Sequence, residues 1–176
     1  MAISAPGLLS YSDVARYVTA YEDAGLAQGA SPPRKLQLAL AGVVAVCASD
    51  ARRAAQSVSA LGLADGARSD ALFREEPLLL PRLIGAWPLF LRLATARALE
   101  LWRPERHCSP LPMEERADHA AERLIAAAIQ DDVALIGHGW FNRAIAQSLS
   151  RRGWRSSRRT FGSGPWSFIA LHERKP

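Results

Sequence analysis

The chain has 176 residues, 49% of them hydrophobic and 22% charged, a length and balance that fit one globular domain and exclude disorder as a global description. Its longest apolar runs, Leu36 to Cys47 and Leu89 to Leu101, are broken by Gln37 and Gly42 or by Arg92, Thr95 and Arg97, so neither offers the roughly 20 lipid-compatible residues of a membrane span. The net charge is +5, and residues 151–176 hold seven basic side chains against one acidic, which leaves the rest of the chain near neutrality.

Val14, Tyr17, Val18 and Tyr21 share one helical face behind Ser10 and Ser12, which predicts a helix over 12–24. Ser31, Pro32 and Pro33 open a short helix running to Ala41, and Val43 to Cys47 reads as a buried strand. Ser49 or Asp50 caps a helix over 50–61 that stops at Gly62. Pro77, Pro81 and Pro88 then break the periodicity, leaving a short strand near 69–73 and an irregular loop. Pro88 and Pro112 open helices over 89–102 and 113–130. Val133 to Gly137 reads as a second buried strand, His138 and Gly139 as a turn, Trp140 to Arg152 as a helix stopped by Gly153, and Trp166 to Leu171 as a last strand. Alternating strands and helices predict an α/β fold, a three-layer α/β/α sandwich with a mostly parallel central sheet.

In such sheets ligands gather beyond the carboxyl ends of the strands, where helix N-termini present free N–H groups. Arg53 opens the helix after the first buried strand, and its planar fork suits a phosphate. His138 follows the second strand between Gly137 and Gly139, which permit a tight turn and close approach of a ligand to the backbone. An anion site lined by Arg53, His138 and two helix N-termini is the sharpest inference from these residues. Glu75 is a candidate general acid, and Asn142 a candidate substrate contact one turn into the helix after His138. Cys47 and Arg53 satisfy a Cys-x5-Arg spacing, although a cysteine ending a buried strand is more often a small core residue. Two cysteines are too few for a disulfide scaffold or a Cys-based zinc site, and Met1 to Leu9 lacks a signal peptide's features, so a cytoplasmic protein is expected. The basic segment, with Arg155, Arg158 and Arg159 beside Trp154, Phe161 and Trp166, is open to three readings: a solvated loop, the mouth of a phosphate pocket, or a nucleic-acid surface.

Together these segments resemble the histidine phosphatase superfamily, the phosphoglycerate mutase-like fold, over roughly residues 10–172. Val44 to Ser57 is similar to the family's strand, Ser-Ser-Pro turn and Arg-Ala helix, with Arg53 in the place of a phosphate-binding arginine. Phe73-Arg74-Glu75 is similar to the element carrying the proton donor. Leu135-Ile136-Gly137-His138-Gly139 is similar to the motif of the second active-site histidine. The resemblance implies a single domain over 1–176 with a variable cap at about 76–112, catalytic roles for His138 and Glu75, and phosphate binding by Arg53, His138 and Gly139. It implies no cofactor and no metal. The departure lies at the N-terminus, where the family's strand leads into Arg-His-Gly and its nucleophilic histidine. Here Ala5-Pro6-Gly7 stands in that place, or, in a register where Leu9-Ser10-Tyr11-Ser12 matches a segment after the motif, the first strand is missing or replaced by Ala2 to Ser4. A degenerate phosphatase-fold protein is therefore expected, with residual binding of phosphate or a phosphorylated small molecule and impaired or absent phosphomonoesterase activity. The alternatives are an active phosphomonoesterase whose Arg-His-Gly segment lies upstream, and a nucleic-acid or protein interaction module. No membrane partner is expected, and the residues fix no oligomeric state.

Overall fold

A computed structural model describes residues 7–102, 111–157 and 165–173. The expected strand at Ala2 to Ser4, the residues His107 and Cys108, and the basic or aromatic positions Arg158, Arg159, Phe161, Arg174 and Lys175 lie outside the described residues. α1 (Tyr11–Asp23) begins at Ser10, whose hydroxyl accepts from the Asp13 N–H while the Asp13 carboxylate accepts from the Ser10 N–H. This reciprocal cap satisfies two backbone donors that a helix start otherwise leaves open. α2 (Arg34–Ala39) follows the paired prolines.

The main sheet consists of β2 (Ala45–Ser49), β3 (Ala67–Asp70) and β5 (Val133–Ile136), in the order β3-β2-β5 with both pairings parallel. Its two faces are told apart by alternate residues. Cys47, Val133 and Leu135 join Ala117, Ala120, Ala121 and Leu124 of α5 (Met113–Ala127), together with Phe141, Ile145 and Leu149 of α6 (Gly139–Arg151). Val46 and Ala48 pack on Val58 of α3 (Arg52–Ala60), and Ala134 packs on Leu36 and Leu40 at α2. Helices thus cover both faces, and the alanines of α5 let α6 approach closely enough to bury Phe141 and Ile145. Each such side chain contributes about 1.5–3 kcal/mol.

Two smaller antiparallel pairs were not foreseen. β1 (Leu8–Leu9) pairs with β4 (Trp87–Pro88), just ahead of α4 (Leu89–Trp102). Arg92 on α4, only 2% exposed, ties the two regions together by donating to the carbonyls of Leu9, Leu83 and Gly85. The second pair is β6 (Trp154–Ser156) with β7 (Leu171–Glu173). The expected strand over Trp166 to Leu171 is corrected accordingly: Trp166 has a φ of 62°, a left-handed conformation that a strand residue cannot adopt.

Other boundaries shift for local reasons. The first buried strand begins at Ala45, not Val43, because the Val43 N–H closes a turn onto the Leu40 carbonyl. The strand expected near 69–73 is β3, displaced toward its start. The Asp70 carboxylate accepts from the Leu72 N–H at 2.9 Å and turns Ala71–Phe73 into a 3-10 helix. Gly62 and Gly153 follow α3 and α6 with φ of 71° and 93°, the left-handed stop that glycine adopts without penalty. Among the described residues, no helix is long and apolar enough to cross a membrane.

Candidate functional site

β2 and β5 run parallel and adjacent, so the segments leaving their carboxyl ends lie side by side. Ser49 ends β2 and Arg53 sits in the first turn of α3, while His138 follows β5 and caps α6. Residues 85 positions apart therefore meet: Arg53 Nε donates to His138 Nδ1 at 3.2 Å. On its other side His138 Nε2 lies 2.9 Å from Ser49 Oγ. The ring is 6% exposed. Burial, and then the positive charge of Arg53, push its pKa down from 6.5 to about 4, so the imidazole is neutral at pH 7. A guanidinium nitrogen only donates, which makes Nδ1 the acceptor and Nε2 the protonated nitrogen. His138 therefore donates to Ser49, whose hydroxyl also accepts from the Ala51 N–H at 3.2 Å.

That tautomer limits the chemistry. With its proton on Nε2, the ring has no lone pair there to deprotonate Ser49 or to attack phosphorus, so the pair is not a nucleophilic Ser-His dyad.

Arg53 is held by α1. Its Nη1 donates to the carbonyls of Tyr21 and Glu22, both at 3.1 Å, and its guanidinium stacks on the Tyr21 ring with 5.0 Å to the centroid. Gln56, one turn along α3, fixes this arrangement by accepting from the Leu26 N–H at 2.6 Å. Among the described residues, Arg53 Nη2 has no acceptor.

Glu75 reaches the same place from the other side. Its two oxygens accept from the N–H groups of Trp140 and Phe141, at 3.2 and 3.0 Å, in the first turn of α6. A carboxylate is thus already seated on the helix N-terminus, where partial positive charge favours an anion. Within that turn the Gly139 N–H is left with no acceptor among the described residues. Glu76, next in sequence and 2% exposed, is ion-paired with Arg116 of α5 at 2.9 Å, and Arg116 lies over the Phe141 ring. Asp50 receives two bonds from Arg74, at 2.5 and 2.7 Å, which hold its carboxyl below the usual range.

Arg53, His138, Gly139 and Glu75 are thus gathered at one end of the sheet. Asn142 turns inward: its Oδ1 lies 2.6 Å from where a Cβ on Gly137 would sit, buried and without a donor. Cys47 points away from Arg53, into the core beneath α5 and α6, and burial raises its thiol pKa. The Cys-x5-Arg spacing therefore builds no phosphate loop. Ser49 and Tyr21 were missed as site residues. Ser49 carried a signal as the polar residue ending an apolar strand, whereas Tyr21 carried none.

The basic segment is partly engaged elsewhere. Arg151 and Arg152 pair with Asp118, Arg152 also with Glu122, and Trp154 and Trp166 pack against the core clusters. Among the described residues, no group of three or more His, Cys, Asp or Glu side chains could hold a metal ion. No family model matches this chain, and no curated protein matches it.

Proposed function

We propose that the chain is a degenerate histidine-phosphatase-fold protein of the phosphoglycerate mutase-like type, retaining a weak phosphate-ester site and lacking ordinary phosphomonoesterase turnover. The observation that carries the reading is the contact between Arg53 and His138 at the carboxyl ends of two adjacent parallel strands. Two donors without acceptors among the described residues, Arg53 Nη2 and the Gly139 N–H, give a phosphoryl group something to bind. Glu75 competes for the neighbouring amides, which keeps the affinity low and makes Glu75 a cap in the free protein and a candidate proton donor only when displaced. Turnover is impaired because the histidine at hand is protonated on the nitrogen that faces Ser49 and no second histidine stands beside it among the described residues. Positioning and stabilising groups without a nucleophile ordinarily leave a rate several decades lower.

The test is hydrolysis of p-nitrophenyl phosphate by the purified chain, run beside inorganic phosphate as a thermal protectant. Protection at millimolar phosphate with no turnover above buffer supports the reading. Turnover abolished by His138→Ala would contradict the loss of activity, and absence of any phosphate effect would contradict the site.

A further inference from the structure

The amino ends of the parallel strands differ in character from the carboxyl ends that carry Arg53 and His138. At the start of β2, about 15 Å from Ser49 along the strand, lies a cavity of about 310 Å³, at the lower end of the size range of small-molecule sites. Its innermost side chain is the buried Val46, its walls are the half-buried Val43 and Leu63, and the exposed Val44 stands at its mouth. Every lining residue comes from the one stretch 43–66, all of it described.

The lining contains a single charged residue. Asp65, in the 3-10 turn Ala64–Gly66, is exposed and makes no ion pair or hydrogen bond among the described residues. The turn is pressed against the entry to β2: a side chain at Gly66 would run into the Val44 carbonyl. Glycine permits this approach, and the approach sets Asp65 at the rim. Gly62, also in the lining, leaves open space where a side chain would project.

The surroundings have the same sign as Asp65. α3 ends two residues before Gly62 with no basic side chain in its last turn, so its C-terminal carbonyls present uncompensated partial negative charge. Asp132, immediately before Val133, is level with Val44 through the pairing of Val133 with Ala45. It too makes no ion pair among the described residues. In a chain of net charge +5, this apolar cavity thus has a negative rim.

We propose that the cavity is a second binding site, which takes a small organic cation with its apolar body on Val43, Val46 and Leu63 and its ammonium toward Asp65. Both halves of the ligand are required. A solvent-facing ion pair alone contributes too little to hold a ligand, and an apolar body alone leaves the carboxylate unmatched. This goes beyond the phosphate reading and does not depend on it.

The experiment is an NMR titration of the full chain with phenethylammonium at constant ionic strength, up to about 50 mM. Two controls separate its parts: 3-phenylpropanoate has the same skeleton with the opposite charge, and methylammonium has the charge without the body. Phenethylammonium is expected to shift the Gly62, Leu63 and Gly66 amides together and to saturate with a Kd of about 1–10 mM, the range its size allows. Both controls bind at least fivefold more weakly. Asp65→Asn, an exposed change that leaves the core intact, weakens phenethylammonium about fivefold, the upper end of what such an ion pair supplies. Absence of a saturating response at these amides overturns the proposal. So does an equal response to 3-phenylpropanoate, or an affinity for phenethylammonium unchanged by Asp65→Asn. Phosphate binding is read at Gly139, at the other end of the sheet, so failure of one reading leaves the other standing.

Discussion

Acidification should destabilise the fold through His138, and the size of the effect follows from its surroundings. The ring is 6% exposed, with a guanidinium on Nδ1 and a hydroxyl on Nε2. Its pKa falls from 6.5 to about 4 on folding. Protonation then favours the unfolded chain, so the stabilisation is fully present above pH 6.5 and is lost as the pH falls toward about 4. Near pH 5.5 the unfolded histidine is mostly protonated and the folded one almost wholly neutral, giving a slope of about 1.2 kcal/mol per pH unit. Between pH 7.5 and 5 this single group removes about 2 kcal/mol. Urea denaturation at half-unit pH intervals, on the parent and on His138→Gln, isolates the effect because every other titrating group is common to both. The variant should be less stable at pH 7.5 and should lack this part of the slope. Parallel curves would refute the buried, neutral state assigned to His138.

Removing Glu75 acts in two directions: Glu75→Ala loses the cap on α6, which costs about 0.5–2 kcal/mol in thermal or urea unfolding, yet frees the Trp140 and Phe141 amides and should tighten phosphate binding measured by calorimetry. Glu76→Ala strands Arg116 in the core without its carboxylate partner and should cost about 3–5 kcal/mol, read as a lower urea midpoint at unchanged m-value. In a Cys108→Ser background, Cys47 should resist Ellman's reagent in the native protein and react fully in denaturant, because its thiol lies beneath α5 and α6. Rapid native labelling would place Cys47 elsewhere.

What the sequence disclosed and what it hid follow from the range of the interactions involved. α4 was readable to the residue because Pro88 marks its start, and α6 nearly so because Gly137 and Gly139 bracket the turn and Gly153 stops it. The meeting of Arg53 with His138 was legible in kind, since both follow adjacent parallel strands at their carboxyl ends. Their partners were not. Tyr21 reaches Arg53 where the chain leaving α1 is tied to α3 by the bond from the Leu26 N–H to Gln56, a contact across 30 positions. Glu75 read as a proton donor, but its use as a cap depends on where the Ala71–Phe73 turn passes α6. Val43 and Val44 look like strand residues yet precede β2, because the Val43 N–H closes the turn onto the Leu40 carbonyl and Val44, beyond it, is 67% exposed. The β6–β7 pair was hidden by Pro165 and the left-handed Trp166, which no periodicity reveals.

The central claim is a phosphate-ester site centred on Arg53 and His138, and the most direct measurement is a phosphate titration followed by NMR of the backbone amides and the Arg53 side chain. The Gly139 amide and the Arg53 Nε–H should shift together and saturate at millimolar phosphate, and Arg53→Ala should abolish the Gly139 response. Shifts confined to exposed residues such as Arg155, or a Gly139 response that survives Arg53→Ala, would contradict it.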